Sequence, residues 1–447
     1  MARPDATALS EIETNIMDSE VQIVESSFIV PNEPTPWAGL CLSPLDLILA
    51  NRGHTPIVYL YSSSNVAAAA DDFFDVARLK EAMAKALVAF YPLAGRLGMD
   101  NHGRAEITCN GEGALFVVAQ ADLTVDDIKD DFSPSPELRR LFVPRVEPTS
   151  VILAIQVTFL KCGGVVLGTA LHHVAIDAFS AIHFIQTWSA FSKHGNHATV
   201  ELPCHDRTLL RARSPPAVHP DALSRFYPKL TFSDPSGPLA VEVFAISKDQ
   251  VASLKSLCGG TSTFCAISAL VWQCALIARR LPPDSEACLT FPASIRRKVR
   301  PPLPNRYFGN ASVRMGVTGA VRDIASEALA SVAGRIKGAI DRMDDEMVRS
   351  AIEYYDEMAM AETDSRPVKG TLLQTDLQII SWLGMPVYDA DFGWGKPWMM
   401  LRAESIRGGF VYLMNDGPAD YDAGVRVLIC MEAANMKELE RLIYEKL

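Results

Sequence analysis

The residues of this chain that could do chemistry cluster where a hairpin pattern gives way to a helical one. Residues 171–177 read Leu-His-His-Val-Ala-Ile-Asp. An imidazole has an unperturbed pKa close to neutral pH, so a histidine at such an edge can act as a general base. If the strand continues to residue 173, His172 and His173 point to opposite faces, and the spacing to Asp177 favours His173 as the base. The pattern also fits two structural histidines and an aspartate that only caps the next helix.

A second segment has the composition of a rigid turn. Residues 388–397 read Tyr-Asp-Ala-Asp-Phe-Gly-Trp-Gly-Lys-Pro. Gly393 and Gly395 flank a tryptophan, and glycines allow tight turns and a close approach of the backbone. We interpret the adjacent Asp391 as a structural residue of this turn.

Bulk properties restrict the classes of function. The 447 residues are 49% hydrophobic and 21% charged, a globular balance in a chain long enough for two domains. A formal net charge of -11 argues against nucleic-acid binding, which depends on clustered Lys and Arg. Nine cysteines without a Cys-x-x-Cys pair indicate buried, reduced thiols and a cytoplasmic protein. Because neither a signal peptide nor an apolar stretch of about 20 residues occurs, we expect no membrane interaction.

Hydrophobic periodicity predicts the elements that position the two segments. Strands are expected at 21–30, 151–160, 165–172, 409–414 and 425–431, and helices at 75–90, after Asp177, at 262–280 and at 321–355. The spacing of Asn435 and Glu438 is that of a capping box and predicts a last helix. We therefore predict an α/β protein with mixed sheets.

A proline-rich segment divides the predicted elements into two groups. It spans about residues 200–238 and is not rich in Gly and Ser, which indicates an ordered crossover rather than a flexible linker. The expected organisation is a first domain over residues 1–200, a crossover over 201–238 and a second domain over 239–447.

Five segments carry a resemblance to a known family. His173-x-x-x-Asp177 and residues 391–395, Asp-Phe-Gly-Trp-Gly, resemble the two signature motifs of the plant BAHD acyl-CoA-dependent acyltransferases. Softer matches occur at residues 91–96, 206–210 and 301–310, in the same order as in the family. Phosphate-binding loops, dinucleotide fingerprints, zinc-ligand spacings and Gly-x-Ser-x-Gly elbows are not found in the sequence, so we expect no metal site.

The resemblance implies two chloramphenicol-acetyltransferase-like domains with an active-site channel between them, open at both ends. Acyl-CoA would enter from one face and the acceptor from the other. His173 would deprotonate the acceptor as it attacks the thioester carbonyl in a ternary complex, without a covalent acyl-enzyme. Trp382 would donate its indole N–H to the oxyanion. Residues expected to be structural at the site are Asp177 with its partner Arg296, Asp391, Gly393 and Gly395.

Departures from the family pattern bear on the acceptor. Relatives that acylate shikimate have Thr-Ser-Trp and His-Thr-Pro-Ser-Val-Tyr, where this chain has Ile380-Ser-Trp and His54-Thr-Pro-Ile-Val-Tyr. Ile380 and Ile57 replace hydroxyl groups, which disfavours a polyhydroxylated acceptor, although His54 and Tyr59 remain. A cationic amine would need a carboxylate. Candidates are Asp376, or Glu362 with Asp364, acids that would equally fit a solvated surface.

We interpret the chain as a hydroxycinnamoyltransferase that moves a p-coumaroyl, caffeoyl or feruloyl group from CoA to a small amine such as putrescine or agmatine. The alternative is O-acylation of shikimate, quinate, glycerol or another alcohol; a remote alternative is a non-catalytic relative that only binds CoA esters. CoA thioester would be a co-substrate rather than a bound cofactor, with contacts at Lys248, Ser262 and Thr263. We expect a cytoplasmic monomer whose partners are acyl-CoA and a small-molecule acceptor.

Overall fold

Two six-stranded mixed sheets organise the chain. The computed structural model describes residues 21–62, 72–129, 134–217, 230–361, 370–405, 407–417 and 424–447. Within these ranges no helix has the length and apolar character needed to cross a membrane.

The strands and α-helices, in chain order, have the following bounds. The strands are β1 (Val21–Ile29), β2 (Ala38–Cys41), β3 (His54–Tyr61), β4 (Arg96–Met99), β5 (Ala105–Cys109), β6 (Ala114–Ala121), β7 (Leu153–Leu160), β8 (Val165–His172), β9 (Phe232–Ser233), β10 (Leu239–Ile246), β11 (Glu286–Ser294), β12 (Ser312–Ala320), β13 (Thr371–Leu372), β14 (Asp376–Ser381), β15 (Met399–Arg402), β16 (Phe410–Asn415) and β17 (Val425–Glu432). The helices are α1 (Pro44–Leu47), α2 (Val76–Ala89), α3 (Val125–Lys129), α4 (Pro136–Phe142), α5 (Ala178–His194), α6 (Lys248–Leu257), α7 (Thr263–Arg279), α8 (Val321–Ser326), α9 (Leu329–Asp341), α10 (Asp345–Ala361) and α11 (Ala433–Lys446).

The first sheet is built around the predicted hairpin. Its strand order is β1-β6-β7-β8-β3-β15, with β6 and β7 parallel and the other neighbours antiparallel. The alternation in β7 predicts one polar face, yet both faces are buried because α4 covers the second. Gln156 on that face donates to the carbonyl of Leu141 in α4 at 2.8 Å. Buried polar groups need such partners.

The second sheet has the order β10-β17-β16-β14-β11-β12, and α7 is buried along almost its whole length against it. β14 runs parallel to both β11 and β16. The carboxyl ends of β14 and β16 therefore lie at the same edge, and their starts at the opposite edge.

One strand does not follow the expected division of the chain into a first domain over residues 1–200 and a second over 239–447. β15 belongs to the second half of the chain but pairs antiparallel with β3, as the last strand of the first sheet. The expected domain boundaries otherwise separate the strands of the two sheets. The pairing of β15 with β3 brings Arg402 beside Ile57, so residues from both halves of the chain meet near the end of β8.

Three sequence expectations need correction. The helix expected over 321–355 is three helices, α8 to α10. The last helix starts at Ala433, directly after β17, so Asn435 lies inside it and does not cap it. All nine cysteines are free as expected, but Cys41 and Cys162 are exposed rather than buried. Cys41 is the last residue of β2, and Cys162 lies in the turn between β7 and β8.

Candidate active site

His173 lies directly after β8, where its backbone N–H donates to the carbonyl of Gly53 at 2.9 Å. Burial lowers the pKa of His173, the positive Arg52 and Arg402 lower it further, and Asp177 acts in the opposite direction. Nδ1 is buried and has no hydrogen-bond partner among the described residues. The lowered pKa favours the neutral imidazole near pH 7, the form that can accept a proton.

His172 occupies the other face of the strand end. Its ring meets His54 edge to face at 4.9 Å, and its Nδ1 accepts the backbone N–H of Val174 at 3.3 Å. Burial lowers the pKa of His172 to about 3. Since His172 does not line the cavity beside His173, the two histidines alternate as the strand geometry predicts.

Asp177 caps α5 and forms a buried ion pair. Its Oδ1 accepts the N–H of Ser180 at 3.1 Å, and Arg296 donates to its two carboxylate oxygens at 2.6 and 2.9 Å. Burial alone would raise the pKa of Asp177, but Arg296 and the backbone N–H groups of Ser180 and Ala311 lower it. Asp177 is therefore a charged structural residue that ties α5 to the segment after β11.

A polar network that the sequence reasoning missed fixes the loop after His173. Asn310 donates through Nδ2 to the carbonyl of His173 and to Oδ1 of Asp46, each at 2.9 Å. Asp46, fully buried in α1, also pairs with Arg207 of the crossover at 2.7 Å, and Arg207 donates to the carbonyl of Ala175 at 2.8 Å. Asn310 ends one of the softer family matches, but its sequence context gives no signal of these contacts.

His173 lines a cavity of about 160 Å³. The residues around it come from β3, β8, α5, β14, β15 and β16: Arg52, His54, Thr55, Ile57, Tyr59, Thr169, Leu171, His173, Ile176, Asp177, Ala178, Ala181, Ile182, Ile185, Ile380, Trp382, Val387, Met400, Arg402 and Tyr412. We call this space the central cavity.

The central cavity gathers most of the residues predicted for the acceptor. His54, Ile57, Tyr59 and Ile380 line it, and His54 is held by a 2.7 Å contact between Nε2 and the carbonyl of Val151. Asp376 does not line it. That residue starts β14, four residues before Ile380, or about 13 Å along the strand, and its carboxylate accepts from Thr375 at 2.9 Å. Glu362 and Asp364 lie outside the described residues.

Trp382 also faces the central cavity. It follows β14 and is anchored by its backbone N–H, which donates to the carbonyl of Leu413 at 2.8 Å. Its ring packs against Tyr412 with centroids 5.8 Å apart. Among the described residues the indole N–H has no acceptor, so it can donate to a bound group near His173.

The Asp-Phe-Gly-Trp-Gly segment lies away from the central cavity and locks β15 in place. Asp391 accepts the N–H groups of Gly393 and Gly395 at 2.9 and 3.0 Å and Lys193 at 2.6 Å. Phe392 is fully buried, 4.6 Å from Trp188 of α5. Its role in the structure is to hold the second half of the chain on the first sheet.

Openings lie at the two ends of β14 and β16. At the carboxyl ends, a cavity of about 240 Å³ is lined by Lys248, Val251, Thr263, Leu383, Gly384, Asn415, Gly424 and Val425. It contains two of the three residues expected to contact CoA. The third, Ser262, caps α7 and accepts the N–H of Cys265 at 3.2 Å.

At the start of β16 lies a larger cavity of about 720 Å³, which we call the vestibule. The vestibule includes Phe410, the first residue of β16, and the opposite opening includes Asn415, the last. A strand of this length spans about 17 Å, which is the distance between the two openings along β16. The vestibule and the central cavity share Arg52, His54, Arg402 and Tyr412. Arg52 and Arg402 are site residues that the sequence reasoning missed, because their proximity arises only when β15 joins β3.

A model of the Transferase family matches residues 19–446. The chain belongs to this family, the BAHD acyl-CoA-dependent acyltransferases. The transferase is 41% identical to putrescine hydroxycinnamoyltransferase 1 of Oryza sativa subsp. japonica, over 96% of this chain and 99% of that protein. It is 36% identical to shikimate O-hydroxycinnamoyltransferase of Nicotiana tabacum, over 95% and 100%.

The fold of the transferase resembles that of a solved structure, vinorine synthase. The TM-score is 0.74 at 21% identity, covering 96% of this chain and 98% of that chain. The family predicted from the motifs, the mixed α/β acyltransferase fold and the enzyme class are thereby confirmed.

Proposed function

We propose that the transferase moves a hydroxycinnamoyl group from CoA to the nitrogen of a small amine, with His173 as the general base. One observation carries the proposal: a buried imidazole of lowered pKa lines the same cavity as an indole N–H that has no acceptor among the described residues, and that cavity shares four lining residues with the vestibule. The relative from Oryza sativa, named for putrescine, supports an amine as acceptor.

The reaction assigns one role to each part of the site. Acyl-CoA would lie in the opening at Lys248 and Thr263, and the acceptor would enter through the vestibule. Nε2 of His173 takes a proton from the acceptor amine while the nitrogen lone pair of that amine attacks the thioester carbonyl. Trp382 donates to the oxyanion that forms. Collapse breaks the C–S bond, and His173 returns the proton to the CoA thiolate.

The acyl group would pack on the apolar wall of the central cavity. α5 and the segment before it contribute Ile176, Ile182 and Ile185, and the opposite side contributes Val387 and Met400. Such a wall suits an aromatic ring, since ligand pockets are mostly apolar with a few placed polar groups.

O-acylation is the second candidate, because the central cavity retains hydroxyl groups from Thr55, Tyr59 and Thr169. A neutral alcohol could bond to them. The relative from Nicotiana tabacum, named for shikimate, supports this candidate.

The test is the release of free CoA thiol from p-coumaroyl-CoA by the purified protein. The acceptor panel contains putrescine, agmatine, tyramine, tryptamine, shikimate and glycerol, together with amino-group acceptors that carry a carboxylate. Turnover with amines supports N-acylation. Turnover confined to alcohols overturns it in favour of O-acylation, and absence of turnover with every acceptor contradicts both.

A further inference from the structure

We propose that the acceptor carries a carboxylate, which Arg52 and Arg402 bind while its amine or hydroxyl group faces His173. The inference rests on the proposed function and narrows its acceptor to a class: small nucleophiles that bear an anionic group. It departs from the expectation of an uncharged or dicationic chain such as putrescine.

The charges of the central cavity point to this class. Arg52 and Arg402 both line it, and its one carboxylate among the described residues, Asp177, is already held by Arg296. A cationic acceptor would meet two positive charges there and would find no unpaired carboxylate among the described residues. An anionic group would meet two guanidinium groups, whose planar forks match a carboxylate.

Neither arginine is neutralised within the described chain. No described carboxylate forms an ion pair with Arg52 or Arg402; Arg402 donates Nε to the backbone carbonyl of Glu404 at 2.7 Å and lies 5.2 Å from the ring of Tyr412. Burial, together with the nearby Arg314, Arg407 and Arg402, lowers the pKa of Arg52 to about 10. Such a cluster of like charges is stabilised when an anion binds.

The acids of the vestibule are engaged elsewhere. Its glutamates are Glu404, which pairs with Arg139 at 2.5 Å, and Glu147, which pairs with Arg145 at 2.6 Å. The path from the vestibule to the central cavity therefore carries excess positive charge at its inner end. A field of this sign attracts an anion towards His173 and repels a diamine.

The CoA phosphates do not explain the two arginines. The opening that holds Lys248 and Thr263 lies at the carboxyl ends of β14 and β16, and Arg52 and Arg402 line the vestibule at the opposite end. The anion that they bind must therefore arrive with the second substrate.

The positive field also suits an amine nucleophile. An ammonium group beside Arg52 and Arg402 has a lowered pKa, because like charges disfavour the protonated form. The attacking nitrogen must be unprotonated, so a site that binds the carboxylate and repels the ammonium proton favours the reactive form.

The test compares acceptors that differ by the carboxylate alone. With p-coumaroyl-CoA, kcat/KM is measured for 2-aminobenzoate against its methyl ester and aniline, for tyrosine against its methyl ester and tyramine, for ornithine against putrescine, and for shikimate against its methyl ester. For each group of related acceptors that the enzyme turns over, we expect kcat/KM to be about 10- to 100-fold higher for the member with the carboxylate. Equal or better turnover of the esters and bare amines overturns the inference.

Substitutions at Arg402 test whether this residue causes the preference for acceptors that carry a carboxylate. Arg402→Gln is expected to reduce it at least about tenfold, mainly through KM, and Arg402→Lys to keep part of it because the charge remains without the fork. Arg322→Gln is the control away from both cavities, since Arg322 is 63% exposed and paired with Asp284, and should leave the preference unchanged. An unchanged preference in Arg402→Gln overturns the assignment.

The outcomes separate the two claims. Turnover confined to acceptors without a carboxylate contradicts the inference and leaves hydroxycinnamoyl transfer standing. Absence of CoA release with every acceptor, charged or not, contradicts the proposed function and the inference with it.

Discussion

At the scale of single residues, the environment of His173 decides what the site can do. Burial and the charges of Arg52 and Arg402 favour the neutral imidazole, and Asp177 only partly opposes them. A base of lowered pKa is weaker, but it is fully unprotonated at neutral pH. Sequence spacing could predict which histidine faces the site, because strand alternation is local; it could not predict the two arginines that set its charge state.

This environment predicts the pH dependence of catalysis. The pKa of His173 lies below its ordinary value of about 6.5. We therefore expect kcat/KM to stay constant as the pH falls from neutrality and to decline only below pH 6.5. The profile is measured with an alcohol acceptor, whose hydroxyl group does not titrate in this range.

Removing one of the positive charges should shift that decline. In Arg402→Gln the acid limb moves towards higher pH, because the like charge no longer disfavours protonated His173. Arg322→Gln, an exposed arginine paired with Asp284, serves as control and should not move it. A limb of the parent protein at or above pH 6.5 would contradict the lowered pKa.

At the scale of elements, the loop between β8 and α5 is positioned by residues from three parts of the chain. α1, the crossover and the segment before β12 meet there through Asp46, Arg207 and Asn310. The periodicities of β7, β8, α2 and α7 were enough to predict those elements, because each depends on its own sequence. The network depends on contacts between segments 32 to 264 residues apart and leaves no periodic signal.

Asn310 is a positioning residue, and Asn310→Ala should separate kcat from KM. The carbonyl of His173 and the carboxylate of Asp46 lose a shared donor, so the free energy of unfolding should fall by about 1–3 kcal/mol. We expect kcat to fall about tenfold or more with KM nearly unchanged, since the imidazole loses its fixed position. Steady-state kinetics and urea unfolding measure the two effects.

The control for Asn310 is Asn196→Ala, an exposed amide in the turn after α5, which should change neither quantity. If Asn310→Ala lowers stability but leaves kcat intact, the network is structural and does not position His173.

At the scale of the whole molecule, the insertion of β15 into the first sheet creates the shared walls of the central cavity and the vestibule. Four residues, Met-Met-Leu-Arg, are too few to show a strand period, and their partner β3 lies more than three hundred residues away. The motif that locks them was recognisable from the sequence as a rigid turn. The sequence did not show that this turn positions β15 beside β3, because strand order follows from tertiary packing.

Gly393→Ala should therefore weaken both the fold and the site. Gly393 has φ of +107°, and a Cβ there would lie 2.3 Å from Nη2 of Arg78. The guanidinium group of Arg78 is held in place, because Nε donates to the carbonyl of Ser192 and Nη2 to that of Phe392. We expect a loss of about 1–3 kcal/mol in the free energy of unfolding together with lower activity, measured by urea unfolding and CoA release.

Gly395→Ala provides the comparison. Its φ is +98°, but a Cβ there meets nothing within 4 Å, so it reports backbone strain alone and should cost less. Equal losses for the two variants would show that the contact of Gly393 with Arg78 does not contribute.

The most direct test of the account is CoA release from p-coumaroyl-CoA by the parent protein and by His173→Ala, with the best acceptor of the panel. We predict that kcat falls by about 10²- to 10⁴-fold while binding of the CoA ester, followed by the quenching of tryptophan fluorescence, is retained. His197→Ala, a histidine on the surface, should match the parent. Undiminished turnover in His173→Ala would contradict the assignment of the general base and the mechanism built on it.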